Sequence, residues 1–140
     1  MPSRYMCRAV LVSMLICCGC GQGDEPTSTR LGGLSRLVSD YLIANRGTFP
    51  KDQQALSEFA AGLDDSEQIL DDSGVDTIEE LFQSEHDGQP FKLLLGDERD
   101  VEYGVVAYQV TAIEGQRWVG FRTGVARIVP ESEFQDMGLE

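Results

Sequence analysis

Beyond residue 20 the chain has no cysteine, and over its whole length it carries one histidine, His86, and two lysines, Lys51 and Lys92. These scarcities exclude chemistry before any motif is sought. With no thiol in the body of the chain there is neither a disulfide nor a cysteine nucleophile there, so stability must come from a packed core. The roughly 110 residues past position 30 are enough for one core and one domain. A Ser-His-Asp or Cys-His arrangement would have to use His86, which lies in Glu85-His86-Asp87-Gly88, a segment that reads as an exposed turn. Two lysines leave little scope for a Ser–Lys pair, and the Gly-x-x-x-x-Gly-Lys-Ser/Thr phosphate loop does not occur. The longest apolar run near the start, Ala9 to Cys18, is about half the roughly 20 residues that a spanning helix needs.

Positive charge is scarce as well. Eleven Lys and Arg stand against twenty-four Asp and Glu, a net of −13. Residues 52–102 hold sixteen of the acids against Lys92 and Arg99 alone, a local net of −14. Nucleic-acid affinity comes from Lys and Arg displacing counterions from phosphate, so that function is excluded. Anionic lipid headgroups should be repelled by the same surface. With so many carboxylates, pairs at acid–base spacing arise by chance. Hydrolysis of the glycosidase kind also needs a cleft lined with aromatics, whereas the aromatics here, Trp118 among them, sit at core-like positions. A small hydrolase using paired carboxylates is the least favoured reading.

One acidic stretch reads as a loop. Within residues 64–76, Asp64-Asp65-Ser66-Glu67 and Asp71-Asp72-Ser73-Gly74-Val75-Asp76 offer the hard oxygen ligands that calcium takes, about six to eight per ion. The EF-hand register fails, because Gly74 at its sixth position would put Ile69 at the first. Asp71, Asp72 and Asp76 are the calcium candidates, set against the simpler reading of a solvated acidic loop. No other cofactor is indicated.

The first twenty residues are the most informative. Arg4 and Arg8 form a basic start, the Ala9–Cys18 stretch an apolar middle, and Gly19-Cys20-Gly21 a small-residue site, the marks of a secretory signal. A small residue directly before a cysteine resembles the lipobox of bacterial lipoproteins. The resemblance implies cleavage before Cys20, acylation of its sulfur and attachment to the membrane through those acyl chains; two or more chains anchor stably where one does not. Cys18, with Leu15 three residues before it, is the alternative acceptor. Cleavage would remove Arg4 and Arg8, leaving nine basic residues against twenty-four acidic, a net of −15. Gly21 rather than Asp after the cysteine implies, by the same resemblance, release to the outer membrane. Residues 20–30 are small and polar and read as a lipid-anchored tether.

The remainder, residues 31–140, reads as a single α+β domain. Leu31, Leu34, Leu37, Val38, Tyr41 and Leu42 share one helical face, with Ser28 or Thr29 as cap and Gly47 after the end. This face must pack on something, and a sheet is expected. Lys51-Asp52 opens a second helix with Leu56, Phe59, Ala60 and Leu63 inward. Thr77-Ile78-Glu79-Glu80 has the form of a capping box before a short helix through Phe82. Four strands then follow, in Phe91–Leu95, Glu102–Ala112, Arg117–Arg122 and Val125–Val129, separated by Gly-containing turns, with a short helix over Glu131–Met137. Short connections make this an antiparallel meander.

Helix, then Asn45-Arg46-Gly47-Thr48-Phe49-Pro50, then a small antiparallel sheet resembles the headpiece of type II secretion pseudopilins. Glu80-Leu81-Phe82, Asp87-Gly88-Gln89-Pro90-Phe91, Val106-Ala107-Tyr108 and Trp118-Val119-Gly120-Phe121 resemble small secreted proteins sharing that headpiece. The resemblance covers roughly residues 31–135 and implies an accessory role in a secretion or pilus-like system. It departs at the start, where a lipobox and a polar tether replace the long assembly helix. The leading expectation is a non-enzymatic envelope lipoprotein of binding or structural type, with its protein partner unidentified.

Overall fold

The computed structural model describes residues 28–139. Cys18, Cys20 and the greater part of the proposed tether lie outside the described residues. Helix α1 spans Thr29–Ala44. Ser28 is its cap: the side-chain oxygen accepts from the Leu31 N–H at 3.3 Å, satisfying one donor that the helix cannot use internally. Ser28 is itself buried, so residues 28–30, assigned to the tether from sequence, belong to the domain. At the other end Arg46 and Gly47 both take positive φ, 55° and 83°, and the Gly47 N–H reaches back to the Leu42 carbonyl at 2.7 Å. Helix α2, Gln53–Ala61, begins at Asp52, whose carboxylate accepts from the Ala55 N–H at 2.9 Å.

The acidic segment 64–76 departs from expectation. It is not an open loop: Ser66–Ser73 forms helix α3, closed by Gly74 in the left-handed conformation that commonly ends helices. Ile69 and Ser73 face inward while Glu67, Gln68, Asp71 and Asp72 face water. Only Ile69 and Leu70 are apolar in that helix, so its period is nearly invisible and its charge dominates the reading. Past it, Glu79–Phe82 is a single 3-10 turn, and the expected capping box is displaced by one residue. The Glu80 carboxylate accepts from the Asp76 N–H at 2.9 Å rather than from Thr77.

The sheet is a four-stranded antiparallel meander in chain order: β1 (Lys92–Leu93), β2 (Val105–Tyr108), β3 (Gln116–Phe121) and β4 (Ala126–Pro130). Tyr108 pairs with Val119 and Ala107 with Gly120, but Val105 pairs with Phe121, so one extra residue bulges into β2. A bulge reverses the alternation of side chains. Val106 and Ala107 thus both face the helices, while Val105 and Tyr108 face the opposite side. All four residues of β2 are buried.

Two hydrophobic layers result. On one face α1 lies across β2 and β3, with Leu31, Leu34, Leu37 and Val38 meeting Val106, Ala107 and Trp118, and with Leu56 of α2 and Ile69 of α3 closing the sides. On the other face Phe134 of helix α4 (Glu131–Asp136) covers Val105, Tyr108, Val119 and Val129. Two glycines set the spacing of the helical layer. A Cβ on Gly33 would stand 1.9 Å from the Ser73 hydroxyl oxygen, and one on Gly120 would stand 2.2 Å from that of Ser35. The molecule is thus α+β with the sheet covered on both faces, as the sequence led us to expect for the helical side.

Candidate functional site

The β2–β3 hairpin supplies the site. Ile113 and Gln116 exchange backbone hydrogen bonds at 2.8 and 3.0 Å around a two-residue turn, Glu114-Gly115, in which both residues take positive φ (52° and 74°). Such turns match the right-handed twist of the flanking strands. Glycine suits its position; glutamate at Glu114 is held in a region that costs a side-chain-bearing residue about 1 kcal/mol or more.

Beside this turn is a cavity of about 170 Å³ lined by His86, Gln109, Ile113, Glu114, Gln116, Trp118 and Ile128. Its residues come from four separated stretches of chain, and the fold explains each placement. Trp118 is a helix-facing residue of β3, on the same side as Gly120, and is almost wholly buried. Gln109 follows the bulged strand, and its backbone N–H donates to the Trp118 carbonyl at 2.9 Å. His86 arrives from the turn before β1. The adjacent Glu85 carboxylate is held by the start of α1, accepting from the Ser28 hydroxyl at 3.1 Å and the Arg30 N–H at 3.3 Å. A carboxylate there also suits the positive end of the helix dipole. With Glu85 fixed, the exposed His86 ring lies parallel to the Trp118 indole, centroids 5.7 Å apart and planes within 3°.

One group in this cavity is unsatisfied. Gln109 is 1 % exposed; its Oε1 accepts weakly from the Trp118 N–H at 3.4 Å, and its Nε2 has no hydrogen-bond partner. The strand beside it is tied down by Arg117, which spans the Gln109 and Val110 carbonyls and forms a two-point ion pair with Glu131 at 2.7 and 2.8 Å. The guanidinium also sits 4.4 Å from the centre of the Phe134 ring. Hydrogen bonding from Arg117 holds the Glu131 carboxyl below the usual carboxylate range, against a smaller opposing effect of desolvation.

A larger open cavity, about 420 Å³, lies at the far end of α1 between the Gly47–Lys51 turn and Gly96–Arg99. Lys51 and Arg99 line it, and so does Asp97. Gly96 makes this approach possible, since a Cβ there would meet the Lys51 carbonyl oxygen at 2.8 Å.

The calcium candidates do not converge. Asp71 and Asp72 lie on exposed turns of α3, Asp76 lies beyond its glycine cap, and Asp72 is already engaged by Gln68 at 2.8 Å and Arg36 at 3.5 Å. Among the described residues no group of three or more His, Cys, Asp and Glu side chains is placed to hold a metal ion. Arg36 instead gathers the acids of this region, reaching Asp65 at 3.2 Å, Asp72 at 3.5 Å and Asp40 at 3.8 Å. His86 is exposed, as the sequence suggested, but its stacking on Trp118 was not foreseen, nor were the roles of Gln109 and Glu114. Among the described residues no helix is long and apolar enough to cross a membrane. No protein-family model, curated protein or solved structure matches the chain.

Proposed function

We propose that this protein is an exported bacterial lipoprotein, held at the envelope by acyl chains on Cys20, whose acidic domain serves in binding or structure rather than catalysis. The observation that carries this reading is the order Arg4, Arg8, the apolar stretch Ala9–Cys18 and Gly19-Cys20. A mature chain with a net charge of −15, nine basic residues against twenty-four acidic, gives anionic lipid no electrostatic reason to bind, which makes a covalent anchor the natural means of attachment. The outer membrane is the favoured destination.

Mass spectrometry of the mature N-terminus tests the reading. A chain beginning at Cys20 and carrying diacylglyceryl and acyl mass is expected, and Cys20→Ala should move the protein from the detergent phase to the aqueous phase. A mature N-terminus at Cys18 would transfer the role to that residue. An unmodified chain that partitions into water would end the proposal.

A second reading, an accessory component of a secretion or pilus-like system, draws on the succession of helix α1, the Asn45–Pro50 turn and an antiparallel meander, without the long assembly helix of the pseudopilins. Crosslinking in intact cells separates the two: recovery of secretion components favours the second, and recovery of envelope proteins without them favours the first.

A further inference from the structure

We draw no further inference here: the strongest candidate, the open cavity of about 420 Å³ between the Gly47–Lys51 turn and Gly96–Arg99, is a groove of exposed side chains that sets Asp97 beside Lys51 and Arg99, and nothing in the structure shows what covers it.

Discussion

Adjacent glycines in α1 have opposite reasons for being there. A Cβ on Gly32 meets nothing within 4 Å, whereas one on Gly33 would collide with the Ser73 hydroxyl, which donates to the Ile69 carbonyl at 2.6 Å. Gly32→Ala should therefore stabilise the protein by about 0.5–1 kcal/mol through helix propensity. Gly33→Ala should destabilise it by about 1–3 kcal/mol through overpacking; paired urea unfolding curves check both. At Gly120 the obstruction is Ser35, whose hydroxyl is buried without a partner. Gly120→Ala should lose about 1–3 kcal/mol. Adding Ser35→Ala should recover part of it, so that the double-mutant cycle is non-additive. None of these contacts was legible in the sequence, because a glycine that admits a neighbour and one that admits nothing look alike until the neighbour is placed. Gln109, Glu114 and His86 were illegible for a related reason: each is an ordinary residue of its own strand or turn, and only the fold brings the three to one cavity.

Elements were more readable where backbone chemistry is local. The cap at Ser28, the Asp52 opening of α2, the Glu114-Gly115 and Thr123-Gly124 turns and the end of the sheet at Pro130 all follow from residue type. Helix α3 did not, since two apolar residues among acids give no period, and its stability comes from packing and from Arg36. That arginine joins α1 to α3, and Arg36→Gln should cost up to about 1 kcal/mol, with the loss shrinking at high salt. The turn after α1 offers a gain. Arg46 occupies positive φ ahead of Gly47 with the Thr48 N–H bonded to the Asn45 carbonyl at 3.0 Å, a position that favours Asn. Arg46→Asn should raise stability by about 0.5–1 kcal/mol, read as a higher thermal midpoint.

The whole molecule answers to pH through the pair that fastens α4 to the sheet. The folded pKa of Glu131 is depressed by Arg117, so the stability it contributes is present above the unfolded carboxyl value of about 4.3 and disappears as pH falls through the lower folded value. Glu131→Gln should be less stable than the parent at neutral pH, and the two denaturation midpoints should approach each other in acid. A difference that stayed constant down to the lowest pH would contradict this. The bulge in β2 has a further consequence. By turning Val106 and Ala107 toward the helices and Val105 and Tyr108 toward Phe134, it gives β2 two residues in each layer, a wall shared by both as β3 is through Trp118 and Val119. Neither layer can then open while the other stays closed, and heat should melt the domain in one cooperative step. Amide hydrogen exchange in Val105–Tyr108 should be the slowest in the chain, proceeding only through global unfolding.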